Sequence, residues 1–597
     1  MSLRSIVPII SFLALAGCMA GYFLIGPAPK QSIAADEPKA AAANPGDVTQ
    51  FGGSVSRNFV NLHEKGLSHE FPKDPDDEKA HVLGNRVKWK QALGNHSCGG
   101  PIVAGGKVFI GTNNESPRNK RDRGKPTDDE PDGTPLDKGI LMCFEEKTGK
   151  FLWQMVHDKL GGGQVHDYPR WGVCSTPTVE GNRLYYTSNR CEVVCLDLNG
   201  MADGNQGFQK EQYNSPTDAD VIWSYDMIDQ LKVFPHNMTN SSTMVVGDLI
   251  FVITANGMDE NHVNIPFPEA PSFICLSKAT GKLIWKSNLP GKAIMHGQWS
   301  NPAYGVIKGK PQVFFPGGDG WLYSLEPETG NLIWKFDANP KDSKYELGGK
   351  GTRSDFIGSP VVYNDKVYIG TGQDPEHFTG LGHFWCIDAT KKGDVSPDLV
   401  TDGSKDPPPT KPNPNSAAVW HYGGNEKPNA KRDFVFGRTM STACIIDDIV
   451  YIAEIDGYMH CLDAKTGKKY WQWDTRSAIW GSCYYVDGKV LLANENGDVF
   501  FFKHEKEQTV MDEVAEGLKA AAEAEKKAMV DKLEEGDAKR AIRAAYEVAA
   551  LAMNAKVKAK FLLQKLEVSE TMSSTPIMAN GVLYLMTQRS LIAVNPK

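Results

Sequence analysis

One segment recurs eight times along the chain. It begins with small residues, often includes a proline, turns over two residues and then enters a β-rich run. It reads Ser97-Cys-Gly-Gly-Pro-Ile-Val-Ala-Gly-Gly-Lys-Val-Phe-Ile at its first occurrence and Cys174-Ser-Thr-Pro-Thr-Val-Glu-Gly-Asn-Arg-Leu-Tyr-Tyr at its second. Further copies start near Ser241, Trp299, Ile357, Met440, Trp480 and Ser573. The shared column holds Pro101, Pro177, Met244, Pro302, Pro360, Cys444, Cys483 and Pro576. Its shortest step, the 39 residues from Cys444 to Cys483, is close to a bare four-stranded blade. A fixed repeat of this size excludes an ordinary string of separate domains and points to a toroid.

A second motif follows the copies: Lys147-Thr-Gly-Lys-Phe-Leu-Trp153, Ala279-Thr-Gly-Lys-Leu-Ile-Trp285, Glu328-Thr-Gly-Asn-Leu-Ile-Trp334 and Lys465-Thr-Gly-Lys-Lys-Tyr-Trp471. Thr-Gly suits a hairpin turn because Gly accepts positive φ, and the Trp opens the outer strand. Trp223 and Trp420 take the same role after long insertions. Trp89 supplies it ahead of the first copy, so residues 86–93 are expected to close the ring as the outer strand of the last blade. The 58 Gly, 36 Pro, 13 Trp and 19 Tyr agree with an all-β chain. The expected fold is an eight-bladed β-propeller over 86–505 and 566–597, with 506–565 as an inserted helical hairpin. That hairpin is a candidate partner dock or a packed ornament.

This constellation resembles the PQQ-like β-propeller repeat. The superfamily includes quinoprotein alcohol dehydrogenases and the propeller lipoprotein, the B subunit, of the outer-membrane β-barrel assembly machinery. The wording around Gln50-Phe-Gly-Gly and Ser56-Arg-Asn also resembles large PQQ-repeat proteins of bacterial envelopes.

The N-terminus fits export. An apolar run over residues 6–26 follows Arg4. Three fates fit it: lipidation of Cys18 in Leu15-Ala-Gly-Cys18, cleavage after Ser32-Ile-Ala34, or retention as an anchor. Residues 1–34 are thus a signal or anchor. Residues 35–85 are an extension whose Ala-, Pro- and Asp-rich start, 35–50, reads as a tether. A periplasmic or envelope location follows.

Candidate site residues precede the inner strands, where the loops from outer strand to next inner strand rim one mouth: His96, Arg170, His236, His296, Arg353, Arg438 and Arg476, with Glu570 in the eighth blade. In a chain of formal charge −8, such a ring would suit an anion, because guanidinium binds carboxylate or phosphate through paired hydrogen bonds. The net acidity argues against nucleic acid. Trp171, Trp299, Trp321 and Trp480 offer stacking surfaces beside it. Asp374, Glu376, His377 and His383 form a candidate cation site, the carboxylates suiting calcium.

Three functions stay open. The first is an envelope scaffold that binds a protein or anionic ligand. The second, implied by the resemblance, is a PQQ- and calcium-dependent alcohol or sugar dehydrogenase, with the ring arginines on the PQQ carboxylates and Asp319 or Asp374 as base. The third is recognition of acidic polysaccharide. The sequence contains no adjacent Cys-Cys pair, no Cys-x-x-Cys-His, no Walker loop and no His-Glu-x-x-His. Excluding Cys18, Cys143, Cys195, Cys275, Cys386 and Cys461 share one repeat phase, as small core residues would. Cys98 with Cys174, and Cys444 with Cys483, sit on neighbouring blades where pairing is open.

Overall fold

The computed structural model describes residues 44–377, 379–424, 434–505 and 554–597, with positions 523, 536, 537, 540, 544 and 551 between them. Cys18, the export segment, residues 35–43 of the extension and most of the expected hairpin lie outside the described residues. Among the described residues no helix is long and apolar enough to cross a membrane.

Eight antiparallel four-stranded sheets follow one another around an axis. In blade 1 the strands run from the axis outward as Ile102–Ala104, Lys107–Asn113, Lys138–Glu145 and Phe151–Asp158. Calling these A to D, the other blades repeat the order. Blade 8 differs in one respect: its outer strand is Val87–Ala92, paired antiparallel with Ser590–Val594. The two ends of the ring are thereby sewn into one sheet, which removes the open edges that an unclosed repeat would expose.

The phased residues have a common packing reason. Strand C places a small residue directly opposite the Trp of strand D. The pairs are Cys143 with Trp153, Cys195 with Trp223, Cys275 with Trp285, Cys386 with Trp420 and Cys461 with Trp471. A bulge beside each pair shifts the register, which turns the strand locally. The indole then reaches the next blade. Trp89 Nε1 donates to Glu146 O, Trp285 Nε1 to Pro327 O and Trp420 Nε1 to Ala464 O. The Thr-Gly turn of that next blade packs on the same indole. Gly330 sits at φ +71°, and a methyl group there would lie 2.7 Å from the Trp285 ring. The motif is thus a joint between blades as well as a turn.

The insertions lie between strands C and D. In blade 2 the insertion separates Glu192–Asp197 from Val221–Asp226. In blade 5 it adds Gly393–Asp394 in parallel to the outer strand of blade 4, and a small hairpin of Asp398–Val400 with Thr410–Pro412. In blade 7 the outer strand starts at Leu562, four residues before the expected restart at 566.

The largest departure from expectation is in the extension. Residues 44–50, read as the end of a tether, are ordered inside the axial channel. From Val48 to Asn61 the chain makes a circuit of the axis and meets the blades in order. Val48 bridges to Val103, and Thr49 O accepts from Val179. Val55 O accepts from Tyr304, Ser56 O from Val362, and Asn58 Nδ2 donates to Ile445 O. Val60–Asn61 pairs in parallel with Tyr485 and Val486, and Asn61 Nδ2 donates to Met578 O. Blade 3 is reached by Arg57, whose guanidinium donates to Ser242 O and Thr243 O as well as to Pro302 O and Phe51 O. Polar spacing hid this role. The segment has few apolar residues because what it satisfies are the free backbone groups of the innermost strands.

Candidate functional site

The circuit closes one end of the channel and leaves a cavity of about 440 Å³ above it. Gln50, Phe51, Phe59 and Val60 form its floor. The first residues of the inner strands form its wall, including Cys98, Thr176, Ser242, Asn301 and Ser482. Tyr168, Trp171, Met238, Trp299, Met440 and Trp480 surround its mouth, with Asp374 and Glu376. Trp171 stacks on Trp480 at 6.4 Å and 27°, and the His96 ring lies 5.2 Å from Trp171. Among the described residues no Arg or Lys lines this cavity.

The ring of expected cations is distributed otherwise. Arg353 spends its guanidinium on Asp337 Oδ1 at 2.5 Å, Asp319 O at 2.8 Å and Ser343 Oγ at 3.2 Å. Arg438 donates to His377 O and Ser354 Oγ; burial lowers its pKa while Asp355 and Asp374 oppose that. Arg170 and Arg476 are exposed, each at a left-handed φ of 62°, and their backbone N–H groups donate to Asp137 and Asp474. Glu570 joins Lys90 and Thr587 in blade 8. Burial also lowers the His96 pKa. Of the four arginines, only Arg353 has its side chain tied to a carboxylate, Arg438 bonds a carbonyl and a hydroxyl, Arg170 and Arg476 are exposed, and none of them lines the cavity.

Asp319 and Asp374, the two candidate bases, occupy different settings. Asp319 is buried, accepts from Tyr323 Oη at 2.7 Å and from the Trp321 N–H, and is pushed up to about 6 by desolvation. It does not line the cavity. Asp374 does. Burial alone would raise its pKa, but hydrogen bonding from His296 and His377 overcomes this and holds it well below the usual carboxylate range.

Around Asp374 the structure gathers imidazoles that the sequence had distributed between two sets. His236 and His296 come from the loops before blades 3 and 4, and Asp374 and His377 from the loop between strands B and C of blade 5. His262, which sequence reasoning missed, comes from the corresponding loop of blade 3. The only signal for it was its place in a loop of that face. Asp374 Oδ1 accepts from His377 Nδ1 at 2.8 Å, which raises the His377 pKa. Asp374 Oδ2 lies 2.6 Å from His296 Nδ1, close but poorly aligned for a linear hydrogen bond. His236 Nδ1 donates to Met258 O, and burial, with His296 nearby, holds His236 neutral down to about 3. Trp299 packs at 5.1 Å on His296 and donates to His236 O. The fourth member of the expected cation site is elsewhere: His383 is buried on strand His383–Asp388, stacked on His421 with Nδ1 to Nε2 at 3.0 Å. Glu376 is exposed at the mouth.

Among the described residues all ten cysteines are free. Cys98 and Cys174 both line the cavity with their thiols in contact, and that contact together with burial pushes the Cys98 pKa well up.

The fold and its phased Thr-Gly turns define a PQQ-like β-propeller. The family model described as outer membrane protein assembly factor BamB matches residues 215–373 and 272–401. Among curated proteins, the dehydrogenase subunit of the quinone alcohol dehydrogenase of Gluconobacter oxydans (strain 621H) is 34% identical over 99 residues, 16% of this chain and 13% of that protein. The corresponding subunit of Gluconacetobacter polyoxogenes is 30% identical over 96 residues, again 16% and 13%. The chain thus spans a small fraction of these relatives' length. Among solved structures, BamB from Moraxella catarrhalis aligns over 76% of this chain and 88% of its own, at 11% identity and a TM-score of 0.39. Quinohemoprotein alcohol dehydrogenase from Comamonas testosteroni aligns over 77% of both chains, at 10% identity and 0.35.

Proposed function

We propose that this protein is a binding propeller of the cell envelope that takes an aromatic, neutral or cationic group into its axial cavity through the tryptophan-ringed mouth. One observation carries the reading: the cavity is closed below by the chain's own extension, which contributes Asp47, and ringed above by Trp171, Trp299 and Trp480, with Asp374 and Glu376 at the mouth. Indole faces attract flat rings and cations, and carboxylates at the same mouth add to that attraction. The group can belong to a free small molecule or to a side chain of a partner protein, as a scaffold role requires. The apolar run after Arg4 supports export to the envelope.

PQQ does not fit this lining. It carries three carboxylates, and among the described residues the lining has no Arg or Lys to hold them while presenting Asp47, Asp374 and Glu376. The same argument weighs against an acidic polysaccharide in the cavity.

The test is a calorimetric titration of the full chain with tryptamine, an aromatic monocation, and separately with PQQ with and without Ca²⁺. Saturable binding of tryptamine, weakened at least tenfold in Trp480→Ala, is expected. Saturable Ca²⁺-dependent PQQ binding with dye-linked alcohol turnover would replace this reading with the dehydrogenase one.

A further inference from the structure

The imidazole cluster at the cavity mouth has more nitrogen than its own hydrogen bonds use. The ligand atoms of His236, His262 and His296 all lie within 4.8 Å of one another, and the ring centroids are 4.5–5.2 Å apart. His236 is 1% exposed, and its Nε2 has no hydrogen-bond partner among the described residues. Because its Nδ1 donates to Met258 O, that Nε2 carries a lone pair rather than a proton. His296 faces the Asp374 carboxylate with Nδ1, which places its proton on that side and turns the Nε2 lone pair inward. His262 Nε2 approaches that same Nε2 at 3.3 Å. Three nitrogens thus surround one small, mostly buried space. Without an ion, His262 Nε2–H can donate to the His296 Nε2 lone pair, while the His236 Nε2 lone pair is left without a partner among the described residues, which is costly unless something positive sits beside it.

We propose that His236, His262 and His296 bind one divalent first-row transition-metal ion at the mouth of the axial cavity. Imidazole donors suit zinc, copper or nickel in preference to calcium or magnesium. Two nitrogens on a tetrahedral zinc, each at about 2.0–2.1 Å, lie about 3.3 Å apart, and the His262–His296 pair is already at 3.3 Å. All three ligand atoms lie within 4.8 Å of one another, so the third nitrogen must close by up to about 1.5 Å to complete the set. The outer nitrogens have the neighbours that ligating histidines use: His236 Nδ1 donates to a backbone carbonyl, and His296 Nδ1 lies 2.6 Å from the Asp374 carboxylate, itself fixed by His377 and needing only realignment to accept. Those contacts set the tautomer and the ring plane, and Asp374 offsets the charge of the ion. Three ligands leave a fourth position, on the side of His262, the half-exposed member. The site stands whether or not the cavity accepts an aromatic ligand.

The experiment uses the full chain after dialysis against a chelator. ZnCl₂ is titrated by calorimetry, and CoCl₂ is followed by visible absorption, where three nitrogens and a fourth ligand in tetrahedral array give intense d–d bands. One Zn²⁺ per chain is expected, with affinity reduced at least a hundredfold in His262→Ala and His236→Gln, about tenfold in Asp374→Asn, and unchanged in His81→Ala, at a position away from the cavity. His262 is half-exposed on a loop, so its variant keeps the test valid if the His236 variant fails to fold. Absence of saturable binding at tens of micromolar Zn²⁺ would overturn the proposal. So would equal binding by wild type and His262→Ala, or a site that takes Ca²⁺ and ignores Zn²⁺.

Discussion

Arg57 shows how much one side chain can organise. It is wholly buried at φ 60°, and its four hydrogen bonds end on carbonyls of the circuit and of blades 3 and 4, none on a carboxylate. Burial pulls its pKa down to about 9. Replacing it leaves buried carbonyls unpaired, which costs about 1–3 kcal/mol for each that water cannot reach. Arg57→Met is expected to lose about 2–4 kcal/mol in denaturant unfolding, and Arg57→Lys less. Asp319 offers a separate test at the same scale. Its folded pKa of about 6 lies above the unfolded value of 3.8, so the folded state holds the proton more tightly. The stability this contributes is fully present below about pH 4 and is lost as pH rises through 6, by at most about 1.4 kcal/mol per pH unit. Asp319→Asn removes that slope while keeping an acceptor for the Trp321 N–H. Parallel stability curves for the two proteins between pH 4 and 7 would contradict the assignment.

At the scale of elements, the joint between a Thr-Gly turn and the indole of the preceding blade separates two causes of glycine usage. Gly330 and Gly309 both sit at positive φ, 71° and 77°, but only Gly330 touches an indole; a methyl at Gly309 meets nothing within 4 Å. Gly309→Ala should cost only the backbone strain, about 1 kcal/mol. Gly330→Ala adds overpacking against Trp285 and should cost about 1–3 kcal/mol more. Equal losses, measured by denaturant unfolding, would mean that the contact carries no energy. Trp334, wholly buried, should cost about 3–5 kcal/mol on truncation to Ala.

For the whole molecule, the ring is held twice, by the strand Val87–Ala92 in blade 8 and by the circuit of residues 48–61 through the channel. The second device spans every blade, so it acts on the ring as a unit. Removing residues 44–65 while keeping 66–597 is expected to lower the melting temperature by at least 10 °C and to open the cavity floor to an apolar dye. An unchanged melting temperature would reduce the circuit to a passenger. Phe59→Ala is the milder form of the test: its ring is 4% exposed and lies edge-on to Phe51 at 5.0 Å.

The sequence by itself determined the number of blades, the turn chemistry and the closing strand, because each is a local pattern repeated in register: a small residue opposite a Trp, a Gly after a Thr, a strand of period two. It named His236, His296, Asp374 and His377 from their loops, but in two separate sets, and it placed Arg353 and Arg438 in a candidate anion-binding ring. Only the tertiary structure brought His262 to the first two, seated Asp374 between His296 and His377, and gave Arg353 a carboxylate partner. It alone placed residues 48–61 in the axis. The reason is the same in each case. A loop's partner is chosen by distance across the ring, between residues from several blades, and no period in the chain records which side chains will face each other there.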